Sequence, residues 1–172
     1  MFRTIPRYEE TGLGLPYPVI LIDAAEEELD EDGNVVGIHI PEMEGLVAAV
    51  AITRCLIPIR LSGAEVRFIR KVIGKNAKQF AEDLEMDPAT YSRWENDKQS
   101  VGAWADKQVR QAAIILLREK VPHFSLDPKD VVGLRLKRGN KIPLPPMEMV
   151  LADSECKNPS DNFWDTTFKL AA

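Results

Sequence analysis

The stretch 62–97, SGAEVRFIRKVIGKNAKQFAEDLEMDPATYSRWEND, constrains the fold more than any other part of the chain. Asn76 suits the N-cap of a short helix, Ala77 to Leu84, with Phe80, Ala81 and Leu84 on its apolar face. Asp87 then caps a second helix with Pro88 at its first position, where a missing N–H costs nothing. Glu85-Met86 is left as the turn between two helices too short to be stable alone. Such a pair must bury Phe80, Leu84, Met86, Tyr91 and Trp94 against its neighbours, while the first turn of its second helix stays exposed. Upstream, Ser62 and Glu65 have capping-box spacing, Val66, Ile69 and Ile73 share a face, and Gly74 is a natural stop. This arrangement predicts a helix-turn-helix, whose second helix can enter the major groove of DNA.

Around this unit the expected class is α+β. Residues up to about Pro41 read as β: Tyr17 to Ala24 and Val35 to Ile40 are rich in β-branched residues, and Asp32-Gly33-Asn34 is a turn signal. Pro41 to Leu56 reads as a helix whose GLVAAVAITRCLI is apolar on nearly every side, so it belongs between layers or in a dimer contact. Pro58 stops it. Val101 to about Lys120 reads as a long helix, and its Ala112 to Leu117 run exceeds one face, which suggests a subunit contact through Ile114, Ile115, Leu116 and Leu117. Burial under its own domain is the alternative. After Val121 the prolines rule out long helices. Val131 to Lys137 and Met147 to Ala152 are expected to pair as short strands around a basic turn, Arg138 to Lys141. The last residues, from about Cys156, are polar, with Phe163, Trp164 and Phe168 available to dock. The organisation expected is therefore a β-hairpin and buried helix at 1–60, an all-α helix-turn-helix domain at 61–120, and a short β-rich or irregular extension at 121–172.

Charge divides the chain in the same way. Residues 1–61 hold 4 basic and 11 acidic side chains, whereas 62–120 hold 11 basic and 9 acidic, so the overall net charge of −5 hides a slightly basic middle. Phosphate attraction depends on the local patch, and the overall sign does not exclude DNA binding. The acids Glu26, Glu27, Glu28, Asp30, Glu31 and Asp32, with Asp23 just before, read as a solvated hairpin end; a dock for a basic partner protein is the sharper alternative. Cys55, Cys156, His39 and His123 have no zinc-ligand spacing, so no metal or other cofactor is expected and the cysteines read as free thiols in a reducing compartment. No apolar run reaches membrane-spanning length and the N-terminus lacks a signal-peptide core, so a cytoplasmic protein is expected. No nucleophile–base set or glycine-rich phosphate loop has recognisable context, which argues against an enzyme.

The entry L-S-G-x-E-x-R-F-x-R-K and the exit S-R-W-E-N of the central block resemble the MqsA/YgiT-type antitoxin family, and the block as a whole resembles the Xre/Cro class of helix-turn-helix. The order of strand pair, helix and helix-turn-helix over 8–120 is also similar to that family. The family's N-terminal zinc finger, with two C-x-x-C pairs, is absent, and 121–172 has no counterpart. The resemblance implies a homodimeric transcriptional repressor on a palindromic operator in double-stranded DNA; an antitoxin with a basic toxin as partner is one form of it, beside a phage-type or a stand-alone regulator. A different class remains open: a protein-interaction module that sequesters such a partner through the acidic hairpin.

Within this framework Arg93 is the best base reader, because a guanidinium can bond both O6 and N7 of guanine; an ordinary solvated arginine is the alternative. Thr90 offers a hydroxyl and a methyl, and Ser92 a hydroxyl for phosphate or base. Ala89 stands where related proteins carry a polar reader, so recognition should lean on Arg93 or on DNA shape. Lys78 and Gln79 open the first short helix, where amide dipoles favour phosphate. The resemblance places Asn96 and Lys98 at backbone-holding positions. Phe80, Ala81, Leu84, Tyr91 and Trp94 are assigned to the core, and Glu95 to an ion pair with Arg67 or Arg70. A twofold dimer would set recognition helices about 34 Å apart, with the long helix as first choice of contact and 46–56 as the second.

Overall fold

The computed structural model describes residues 1–121, 128–138, 144–152 and 163–167. Its centre is the long strand β2 (Val19–Leu29), which pairs antiparallel with β1 (Phe2–Glu10) along one side. The other side is shared: β3 (Val35–His39) takes the acidic half, antiparallel, and β4 (Glu148–Ala152) takes the apolar half, parallel. β5 (Phe163–Thr166) pairs antiparallel with β4 and closes a five-stranded sheet. Strand β1, which the sequence reading did not separate from its surroundings, has exposed or half-buried side chains and no apolar alternation. Along β2 the pairing passes from Ile5–Ala25 to Arg7–Ile22, so one extra residue is inserted there. Asp23, at φ 49°, occupies the bulge, and beyond it Ala24 and Ala25 are both buried.

The acids Glu26, Glu27 and Glu28 lie within β2, not in the turn. The hairpin end is Asp30–Asn34, where Asp30 accepts the backbone N–H groups of Asp32 and Asn34 at 2.9 and 2.8 Å. These bonds hold the Asp30 carboxyl below its ordinary range, led by the Asn34 side-chain amide.

Helix α1 (Met43–Leu56) is buried almost all round, in contact with β5 of the sheet and with α2 and α5 of the helical half of the chain. Its excess of apolar surface is thus covered within the chain, where every residue of 46–56 except the half-buried Val47 is buried. Trp164 of β5 is 2% exposed and donates its indole N–H to the carbonyls of Pro41 and Glu42 at 3.2 and 3.1 Å, tying the C-terminal strand to the start of α1. Then follow α2 (Gly63–Ile73), α3 (Ala77–Asp83), α4 (Pro88–Glu95) and α5 (Ala103–Leu117), the last ending in a single 3-10 turn, Arg118–Lys120. One hydrophobic core runs from Val19 and Leu21 through α1 to Phe80, Tyr91 and Trp94. The protein is a mixed α+β structure, and among the described residues no helix is long and apolar enough to cross a membrane.

The C-terminal third differs from the strand pair expected there. Pro128–Val132 is a short helix, α6, followed by a turn in which the Leu134 N–H bonds the Val131 carbonyl at 3.2 Å; Val131 and Leu134 are buried and Val132 is exposed. Of the expected strand only Lys137 makes a bridge, parallel, to Ile59. Met147 to Ala152 does form a strand, but its partners are β2 and β5. Cys156, His123, Phe168 and residues 139–141 of the basic turn lie outside the described residues.

Candidate nucleic-acid interface

The chain builds the helical unit from its caps. The Ser62 hydroxyl accepts from the Glu65 N–H while the Glu65 carboxylate accepts from the Ser62 N–H at 2.7 Å; Asn76 and Gln79 form a second such box at 2.9 and 3.0 Å. Gly74, at φ 86°, ends α2 and donates its N–H to the carbonyls of Arg70 and Lys71. Asp87 caps α4 through the Thr90 N–H at 2.9 Å, with Pro88 at the first helical position. Between α3 and α4, Glu85 adopts φ 52°, and the Met86 N–H returns to the Ala81 carbonyl at 2.9 Å. The reversal is therefore closed by backbone bonds.

Helix α4 has a buried and an exposed side. Tyr91 packs edge-on against Phe80, with ring centroids 5.8 Å apart, and against Trp94 at 6.1 Å; such pairs add about 0.5–1.5 kcal/mol each beyond their area. Glu95 fastens the helix to α2. It accepts from Arg70 Nε and Nη2 at 2.6 and 3.1 Å, from the Tyr91 hydroxyl at 2.8 Å, and lies 3.7 Å from Arg67 Nε. Burial first, then this carboxylate, pushes the Tyr91 phenol far above its ordinary value, so the hydroxyl remains a donor.

The opposite face carries Ala89, Ser92 and Arg93, all exposed, with Thr90 half-buried beside them. Lys78, Gln79, Asn96 and Lys98 are exposed on the neighbouring helix end and loop. Several of these side chains are already committed. Gln79 is held in its capping box. Thr90 donates its hydroxyl to Asp87 at 2.9 Å. Asn96 bonds the Ser92 carbonyl at 2.7 Å and Arg67 at 3.1 Å. Lys78 stands 3.9 Å from Glu82 in a weak exposed pair. Among the described residues neither Arg93 nor Lys98 has a side-chain hydrogen bond or ion pair. Asp87 sits close enough to Arg93 for its charge to contribute to a lowered carboxyl pKa, behind the larger effect of the Thr90 bonds.

Ile114 and Leu117, expected at a subunit contact, are 0% and 1% exposed and belong to the chain's own core. Their neighbours Ile115 and Leu116 are half exposed, as are Trp104 near the start of α5 and Val132 of α6. Trp104 and Ile115 are eleven positions apart and so lie on one face of α5, about 16 Å from each other along its axis.

Behind this surface lies a buried polar bracket that the sequence reading did not find. Arg54 of α1 is 1% exposed and donates to Glu65 at 2.5 and 3.0 Å and to the carbonyls of Ile59 and Arg60 at 3.0 Å each. Arg110 of α5, fully buried, donates to Asp106 at 2.5 Å and to the carbonyls of Cys55, Ile57 and Ile59 at 2.8, 2.7 and 2.6 Å. Asp106 in turn accepts the Leu61 N–H at 2.7 Å. The two guanidinium groups thereby bind carbonyls at the end of α1 and in the connector after it. Burial alone would raise the Glu65 carboxyl, but the bonds and charge of Arg54 outweigh it and hold the group below its ordinary value. Cys55, wholly buried beside this bracket, has its thiol pushed up to about 12 by burial, which makes it inert at neutral pH. One signal was available: Arg54 is the single charge inside the apolar run Gly45–Ile57.

The acidic cluster is partly neutralised within the sheet, where Arg3 pairs with Glu27. Among the described residues no group of three or more His, Cys, Asp or Glu is placed to hold a metal ion. Compared with known proteins, the chain matches no family model, no curated protein and no solved structure.

Proposed function

We propose that this chain is a sequence-specific DNA-binding regulator of the Xre/Cro helix-turn-helix kind, acting as a homodimeric repressor that reads the major groove with α4. The observation that carries the reading is the division of α4. Tyr91, Trp94 and Glu95 anchor it rigidly to α2 and α3, while Ala89, Ser92 and the unpaired Arg93 face outward beside Lys78 and Lys98. Specific recognition needs base-edge contacts on a rigid support and phosphate contacts to fix register. Arg93 supplies the first. Lys78 and Lys98, with the α3 N-terminus, supply the second. Thr90 and Gln79, whose side chains serve the caps, act mainly by holding helix ends in place. The exposed Trp104, Ile115 and Leu116 along α5 suit the dimer that a short recognition helix requires.

The testing experiment is selection of bound duplexes from a random pool, followed by titration of the enriched site with wild type and Arg93→Ala. The expected result is an enriched palindrome, with a loss of about 1–3 kcal/mol for the variant on that site and much less on random duplex. No enrichment, or equal loss on both duplexes, overturns the reading. Antitoxin activity is the more specific form of the same proposal, with a basic toxin as the partner.

A further inference from the structure

A cavity of about 560 Å³ opens between the connector after α1 and the loop after α4, with Arg138 and Leu144 also lining it. This is the size of a small-molecule site, for which about 300–1,000 Å³ is usual. Its acids are already used. Glu65 is bonded by Arg54, by the Tyr17 hydroxyl at 2.7 Å and by the Ser62 N–H, and Asp97 accepts the Gly63 N–H at 2.9 Å. Its remaining cations are not. Among the described residues Arg60 and Arg138 have no ion-pair partner, and the buried Arg60 Nε has no hydrogen-bond acceptor. A buried donor left in this state is unfavourable until something accepts from it. The hydroxyls of Ser62 and Ser100 and the amide of Gln99 line the same space. The N-terminus of α2 also opens onto it, with the Ser62, Gly63 and Glu65 N–H groups already accepted by Glu65, Asp97 and Ser62.

We infer that this cavity is a binding site for a small anion bearing a carboxylate or a phosphate, held by the Arg60 and Arg138 guanidinium groups and the surrounding hydroxyls. A guanidinium offers paired donors that match either group, and the two arginines line the cavity from separate chain segments. The site is independent of whether α4 reads DNA.

Calorimetric titration of the full chain with citrate and, separately, with pyrophosphate, at constant ionic strength set by chloride, tests this. The expected result is one-to-one binding of at least one probe at about 1 mM or tighter, weakened about tenfold or more in Arg60→Gln and unchanged in Arg93→Ala. Citrate binding without pyrophosphate assigns a carboxylate ligand, and the reverse assigns a phosphate. Ser100→Glu, a change in an exposed loop, should abolish the same binding and serves where Arg60→Gln does not fold. Absence of binding by both probes up to about 10 mM, or equal binding by the folded variants, overturns the inference.

Discussion

Replacing Arg110 with methionine should cost more stability than any single change on the exposed face of α4. Methionine keeps much of the side-chain volume but removes every donor. The Asp106 carboxylate, fully buried, loses its counterion and keeps a single bond from Leu61, and the carbonyls of Cys55, Ile57 and Ile59 lose the guanidinium. Breaking a buried pair from one side costs about 3–5 kcal/mol, because a charge stays behind without compensation. In a domain whose total stability is about 5–15 kcal/mol, that is a large fraction. At roughly 2–4 °C per kcal/mol for a chain of this size, the midpoint should fall by roughly 6–20 °C. Urea unfolding followed by far-UV circular dichroism gives the free energy, and Asp106→Asn combined with Arg110→Met separates the two contributions. The double variant should recover part of the loss, since no charge is stranded. A single variant within about 1 kcal/mol of wild type, or a double variant less stable than the single by the full cost of a second mutation, would refute the account of the bracket.

Gly63→Ala should destabilise by about 1–3 kcal/mol in the same assay, because an added Cβ would stand 2.2 Å from the Trp94 carbonyl and 2.8 Å from the Asp97 carboxylate; an unchanged midpoint would count against the close approach of α2 and α4. Since the Glu65 carboxyl is held below its ordinary value of 4.5, its contribution is fully present above that pH and is lost as pH falls through the lower, folded-state value. Glu65→Gln should therefore be less stable than wild type at neutral pH and close the gap on acidification, and a gap that is constant with pH would contradict this. Lys98→Ala should weaken binding to all duplexes alike and flatten the slope of log affinity against log salt by about one unit, while an unchanged slope removes it from the phosphate contacts. Ile115→Asp or Leu116→Asp, both at exposed positions, should shift the dimer toward monomer in light scattering at micromolar concentration with little loss of fold; a wild-type chain that is monomeric both free and on its site would exclude the α5 contact.

The parts of the fold legible in the sequence are those fixed by local rules. Caps at Ser62, Asn76 and Asp87, the glycine stop at Gly74 and the ion pairs of Glu95 all follow from spacing over a few residues, and each is present. The apolar helix before them was legible as buried, since an element without a polar face has to lie between layers. The rest depends on contacts distant in sequence. β4 carries too few residues to announce that it will lie parallel to β2, more than a hundred positions away, and Trp164 declares its partner only once α1 stands opposite. Val131 and Leu134 fit a helical face as well as a short apolar run, and strand and helix are hard to tell apart over so few residues.

The excess of apolar residues at 112–117 was legible, but its division was not. Helical geometry sends Ile114 and Leu117 inward and Ile115 and Leu116 outward, so the same run serves the core and leaves a smaller outer face. The bracket of Arg54 and Arg110 escaped for a related reason. A guanidinium inside an apolar helix reads as an anomaly until the connector 57–61 supplies the carbonyls it binds, and those carbonyls belong to the backbone, which no side-chain pattern reports. Glu65 is at once the partner of Arg54 and the third residue of the box that starts α2, while α2 holds α4 through Arg67 and Arg70. Two sets of charge-assisted bonds, joined by the backbone of α2, therefore link the α1–α2 connector to the helix that carries Arg93. Rigidity at that helix rests on groups at several removes from it, which is why substitutions at Arg54, Glu65 or Arg110 should alter the positioning of α4 without touching its exposed face.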